Sequence, residues 1–227
     1  MDFLKILRSA EEALYEVMMW LLLYPRTIWL ILRHPGQLHA KVSEELTQAD
    51  DLRFDDVISP PMTLLISVGI GSAMTAGDME NVEGLNALGQ FIGNSAYNDW
   101  LFSAGISSLL PLIYAARTVL HRGGKIRRDC LRAPFYANAW RISPVALLLP
   151  LLIALYALTA WPVLRATCGI AIALLLAWYS WVTAKALMDE GGYRPLRASL
   201  VYLTGLFGGL IVTLLIMVAL IYPTSTT

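Results

Sequence analysis

Residues 117–141 read RTVLHRGGKIRRDCLRAPFYANAWR and hold seven of the chain's 17 Lys and Arg side chains. These are Arg117, Arg122, Lys125, Arg127, Arg128, Arg132 and Arg141. The preceding segment, 54–116, holds none, whereas the first 53 residues hold Lys5, Arg8, Arg26, Arg33, Lys41 and Arg53. Beyond Arg141 only Arg165, Lys185, Arg194 and Arg197 remain. Long apolar stretches separate these blocks. Loops rich in Lys and Arg stay on the cytoplasmic side of a membrane. From the N-terminus the polar segments run high, zero, high, low, moderate and zero in positive charge. That order predicts an all-α integral membrane protein with its N-terminus inside, five transmembrane helices and its C-terminus outside.

Composition supports the same class. Of the 227 residues, 57% are hydrophobic and 15% charged, against roughly 25% charged in a soluble domain. The membrane would be the cytoplasmic (inner) one in a bacterium. Formal net charge is zero, so no global field draws nucleic acid, and no nucleic-acid partner is expected. Cys130 and Cys168 form no disulfide framework. Glu11, Glu12 and Glu16 stand where a signal peptide would need apolar residues, so no cleavable leader is expected.

Three regions follow. Residues 1–56 form a cytoplasmic region with amphipathic interfacial helices and an acidic linker, 57–222 the five-span domain, and 223–227 a short polar tail. Residues 10–23 read as a helix capped by Ser9 with Glu12, with Leu14, Val17, Met18 and Leu21 on one stripe. Tyr24-Pro25-Arg26 interrupts it before a second apolar run, Thr27–Leu32. Neither half reaches the roughly 20 residues of a span, so both are expected to lie on the membrane surface; the rival is one span over 14–32. The stretch 37–56, with Glu44, Glu45, Asp50, Asp51, Asp55 and Asp56, reads as a solvated linker.

The spans are expected near Val57–Ala76 after Ser59-Pro60-Pro61, Trp100–Leu120 behind the cap Asn98-Asp99, Ile142–Ala160 from Ser143-Pro144, Trp161–Met188 from Pro162, and Pro195–Tyr222. Proline suits a first helical turn, where its missing N–H would be unpaired anyway. Pro111 and Pro150 fall inside spans. No Asp or Glu lies in mid-span, which counts against an ion-coupled transporter. Ser67, Thr75, Ser107 and Thr183 are expected to bond their own helix backbone or a neighbour rather than line a pore.

Small residues recur at four-residue spacing at Gly205 and Gly209 and at Ser67 and Gly71, faces that let helix backbones approach closely. They are expected to pack within the bundle, with a homodimer seam as the alternative. In the loop 121–141, Lys125, Arg128 and Arg132 are expected on one helical face, with Phe135, Tyr136 and Trp140 as interfacial aromatics. With Arg127 these cations suit anionic lipid headgroups or an acidic partner, at about 1 kcal/mol per basic residue near the surface. The chain has no phosphate-cradling loop, no HExxH and no CxxC, so no enzyme activity, metal or cofactor is expected.

The span layout resembles the Yip-domain family of five-span proteins that interact with Rab-type GTPases. The resemblance rests on Ile58-Ser59-Pro60-Pro61 before the first span and on Gly123-Gly124-Lys125 through Phe135-Tyr136 to Ser143-Pro144. It also rests on Gly191-Gly192-Tyr193-Arg194 before the last span. It covers roughly 57–222 and leaves out the first 35 residues. It implies a clustered bundle with a cytoplasmic N-terminal region and carries over no catalytic residue. The expected function is that of a non-enzymatic scaffold, assembly or membrane-organising factor with a protein partner or a second copy. The alternative is a permease-like carrier of a small neutral or lipidic solute.

Overall fold

A computed structural model describes residues 3–49, 52–75, 87–93 and 95–221. Among the described residues the secondary structure is helical throughout. The helices are α1 (Phe3–Arg33), α2 (Leu38–Thr47), α3 (Pro60–Thr75), α4 (Ala87–Gly93), α5 (Ala96–His121), α6 (Arg128–Leu158), α7 (Pro162–Asp189) and α8 (Pro195–Ile221). A 3-10 turn, Pro35–Gln37, joins α1 to α2.

Four of the described helices, α5 to α8, are long and apolar enough to cross a membrane. The chain is therefore a multi-pass membrane protein. The first expected span, over 57–76, corresponds to α3, of which residues up to Thr75 are described. The described helix α3 has 16 residues, about 24 Å at 1.5 Å per residue, against a hydrocarbon core of about 30 Å. It starts at Pro60, as the proline signal predicts. Residues 76–86 lie outside the described residues, as do Asp50, Asp51 and the tail from 222.

The central element is α6, a single helix of 31 residues that runs through Pro134, Pro144 and Pro150. It packs against α3, α5, α7, α2 and α1. This corrects two expectations. Ser143-Pro144 lies inside the helix and does not begin it, and residues 128–141 of the predicted loop are its first four turns. Each internal proline removes one i→i−4 bond, but neighbouring helices bury the chain here, with Pro134, Ser143 and Pro144 all covered. At Pro150 the freed carbonyl is that of Ala146, and α3 comes against it. A methyl at Gly71 would stand 2.8 Å from the Ala146 carbonyl oxygen and 3.0 Å from Pro150 Cγ.

The N-terminal region is also corrected. Phe3–Arg33 forms one helix that passes through Pro25, so Ser9 sits inside it and does not cap it. Thr27 lies two residues after the proline. Its hydroxyl donates to the Leu23 carbonyl at 2.8 Å and accepts the Ile58 N–H at 3.0 Å. This ties the helix to the start of α3, and Thr27 is fully buried. The stripe residues Leu14, Met18 and Leu21 stay exposed, at 63%, 60% and 67%, without a protein surface to cover them. In α5 the N-cap position is Ser95, so Asn98 and Asp99 fall in the first turn and not before it. Asn98 Nδ2 instead donates to the Phe91 carbonyl at 2.7 Å.

Two cores hold the molecule. The larger joins Leu64 and Val68 of α3, Tyr114 of α5, Ile142 and Val145 of α6, Tyr179 of α7 and Tyr202 of α8. The smaller joins Ile31, Leu38, Val42 and Val57 to Ala137 and Trp140 of α6. The predicted linker region is thus anchored by apolar burial.

Candidate lipid and partner interface

One end of the bundle carries α2, the α2–α3 loop, the start of α6 and the α7–α8 turn. Glu45 is 5% exposed and accepts the Phe54 N–H at 2.7 Å. Phe54 has φ 59°, a left-handed backbone that costs a bulky residue energy. The buried carboxylate and the Phe54 ring, edge-on to Trp140 at 5.8 Å, hold it there. Lys41 Nζ lies 3.4 Å from both Glu45 and Asp56. The described residues of 44–56 are therefore docked structure rather than a solvated linker, and two of their acids are paired: Glu45 and Asp56 with Lys41, and Asp56 also with Arg26 at 3.7 Å.

Trp140 and Arg141, both fully buried, anchor this layer. Trp140 Nε1 donates to the Ile58 carbonyl at 3.1 Å and to Thr63 Oγ1 at 3.2 Å; it is a core residue, not an interfacial one. Arg141 donates to Asn138 Oδ1 at 2.9 Å and pairs with Glu190. His39 Nδ1 stands 3.8 Å from the other Glu190 oxygen. Burial pushes the His39 pKa below its ordinary value. The Glu190 carboxylate pulls it up, and Arg141 and Arg122 push it down further; the net direction is down. Glu190 and His39 were missed as site residues. The available signal was an Arg at the head of one predicted span and the Asp189-Glu190 pair at the foot of another.

The basic edge lies beside this layer. Lys125 and Arg127 precede α6 and Arg128 opens it, so Lys125 does not share a helical face with Arg128 and Arg132. All four side chains are exposed. Lys125, Arg127 and Arg128 form no ion pair among the described residues. The Arg132 guanidinium lies 5.6 Å from the centre of the Tyr136 ring, which leaves its charge available. The glycine pairs that flank this end have a backbone reason. Gly123 (φ 74°) and Gly192 (φ 71°) close α5 and α7 in the left-handed conformation that glycine adopts without a Cβ penalty.

The small-residue faces turn inward. A methyl at Gly205 would lie 2.5 Å from Tyr114, and one at Gly209 would lie 2.7 Å from Leu110, so both seat α8 on α5. Ser67 donates to the Thr63 carbonyl and shares a hydrogen bond with Tyr24, both at 2.8 Å. Arg117 donates to the Val201 carbonyl at 2.6 Å and to Thr204 Oγ1 at 2.7 Å. The Thr75 side chain lies outside the described residues.

Between α3, α5, α6 and α8 lies a cavity of about 640 Å³, within the range of about 300–1,000 Å³ typical of ligand sites. Its wall is mostly apolar; its hydroxyl groups are Ser72 on α3, which has a partner of its own, and Ser103, Ser107 and Thr213 on α5 and α8.

The comparisons with known proteins add no relative: no family model, no curated protein and no solved structure matches this chain.

Proposed function

We propose that this chain is a non-enzymatic membrane protein that works as a scaffold, assembly or membrane-organising factor through its basic end. In this reading the N-terminus and basic end are cytoplasmic, the Yip-type layout of five spans applies, and the C-terminus lies outside. The observation that carries it is the contrast at that end. Arg141, Lys41 and Arg26 are committed to internal partners, while Lys125, Arg127, Arg128 and Arg132 are exposed and form no ion pair among the described residues, with Asp129 the one acid set among them. Side chains so placed attract anionic headgroups or an acidic protein surface. The exposed apolar stripe of α1 fits the membrane surface beside them.

The permease-like alternative draws on the 640 Å³ cavity. Nanodiscs that mix phosphatidylglycerol with phosphatidylcholine separate the two readings. The wild type should enrich the anionic lipid around itself, and Arg127→Glu, Arg128→Glu and Arg132→Glu together should abolish the enrichment. Solute flux in proteoliposomes that is lost on substitution of Ser107, which lines the cavity, would instead establish the carrier.

A further inference from the structure

The hydroxyl side chains of the bundle divide into two groups. Ser67, Thr118, Ser143, Thr167, Ser180, Ser199 and Thr204 each donate to the carbonyl four residues earlier, at 2.7–3.2 Å. Ser108 reaches the carbonyl three residues back at 2.6 Å. Ser103, Ser107, Thr213 and the buried Thr183 make no hydrogen bond within the described structure, against the expectation for Ser107 and Thr183; the first three line the cavity, and Thr183 lies away from it. A polar group in hydrocarbon must find a partner within the membrane. Self-satisfaction is the rule along these helices, so three idle donors around one apolar cavity point to an acceptor from outside the chain.

We propose that the cavity holds one acyl chain of a bilayer glycerolipid, with the ester carbonyl bound by Ser103, Ser107 and Thr213. The positions fit this occupant. Ser103 is seven residues inside the α5 end that lies away from the basic edge, about 10 Å along the helix. Thr213 is eight residues short of the last residue of α8, about 12 Å. Both donors therefore stand toward the end of the bundle opposite Lys125, below the membrane surface, where an ester carbonyl begins its chain. From there the wall becomes purely apolar along α6. Ile153 and Ile142 both line it, and their separation of eleven residues corresponds to about 16 Å of helix. Leu110, Val145 and Leu149 flank that path. The cavity opens between α3, α5, α6 and α8, so a lipid can enter sideways from the bilayer. The proposal needs only that these helices stand in hydrocarbon. It is independent of the basic end.

The test uses the full chain in phosphatidylcholine proteoliposomes that contain a lipid with a diazirine midway along one acyl chain. After illumination, adducts are mapped by mass spectrometry. Leu110, Val145 and Leu149 should be labelled at least about fivefold more than Leu174 and Leu203, which are 65% and 45% exposed on the outer surface. Ser103→Ala, Ser107→Ala and Thr213→Val together keep the shape of the wall. They should lower cavity labelling about tenfold, the effect of losing one or two hydrogen bonds, with outward labelling unchanged. Leu149→Trp, which fills the path, should abolish cavity labelling. Equal labelling of cavity and outer surface, or cavity labelling that survives the triple substitution in folded protein, overturns the proposal.

Discussion

The Arg141 guanidinium, buried in the middle of α6, pairs with the Glu190 carboxylate at the foot of α7. This joins the two helices that bracket the basic end. A buried pair is asymmetric: removing one partner strands the other charge, at about 3–5 kcal/mol, whereas replacing both with apolar groups is often neutral. Glu190→Gln alone should lower the unfolding midpoint in detergent strongly. Arg141→Met with Glu190→Gln should restore most of the loss. A double variant as unstable as the single one would show that the pair does not act as a unit.

His39, beside the same carboxylate, gives the layer a pH response that its burial sets and Glu190 opposes. Burial lowers the folded pKa of His39 below its ordinary value of 6.5, so folding favours the neutral ring. Its contribution to stability is then complete above about pH 6.5. It is lost as the pH falls from there through the lowered folded value, because protons bind the unfolded chain first. Wild type should lose more stability between pH 7.5 and 5.5 than His39→Gln. Parallel stability curves for the two proteins would remove His39 from the account.

Gly205 seats α8 against Tyr114, whereas Gly208, one turn-face away, has no atom within 4 Å of a built Cβ. Gly205→Ala should cost about 1–3 kcal/mol through overpacking. Gly208→Ala should be neutral or slightly stabilising, because it restricts the unfolded chain. Thermal unfolding of the two variants checks this directly. If Gly205→Ala weakened self-association and left stability intact, the glycine would belong to a seam between copies.

How much was legible in the sequence depended on the kind of signal. The starts of α3, α7 and α8 at Pro60, Pro162 and Pro195 were readable because a proline in the first turn gives up no helical bond. The same residue misled at Pro144 and Pro25. There packing against α3 and α7, and the Thr27 bonds to Leu23 and Ile58, outweigh the lost bond, and no local signal reports a tertiary partner. The basic edge was legible because exposed cations obey topology. The Arg141–Glu190 pair was not, since it joins residues 49 apart and each looks like an ordinary end-of-span charge. The cavity was beyond reach for a related reason: Ser107 and Ser67 look alike in sequence, and only the structure shows which one bonds its own helix.

Trp140 fastens the α2–α3 region to α6 through one N–H shared between Ile58 and Thr63. Trp140→Phe keeps most of the ring but removes the N–H that Thr63 Oγ1 and the Ile58 carbonyl accept, leaving Ile58 only the Thr63 hydroxyl as donor. The expected cost is about 1–3 kcal/mol. The loss should concentrate in this layer, so limited proteolysis within residues 48–56 should quicken more than cleavage elsewhere. Uniform acceleration would mean that Trp140 supports the whole bundle rather than this docking contact.

Cys130 offers the test of orientation. It is exposed in the first turn of α6, between Arg128 and Arg132, while Cys168 is buried. A membrane-impermeant maleimide should therefore report on the basic end alone. If that end is cytoplasmic, intact cells should leave Cys130 unlabelled and permeabilised cells should label it fully. Cys130→Ser should abolish the signal in both cases, which excludes Cys168 as its source. Labelling of Cys130 in intact cells would place the basic edge outside. That result would invert every span, and it would remove the anionic inner leaflet as the surface that Lys125, Arg127, Arg128 and Arg132 meet.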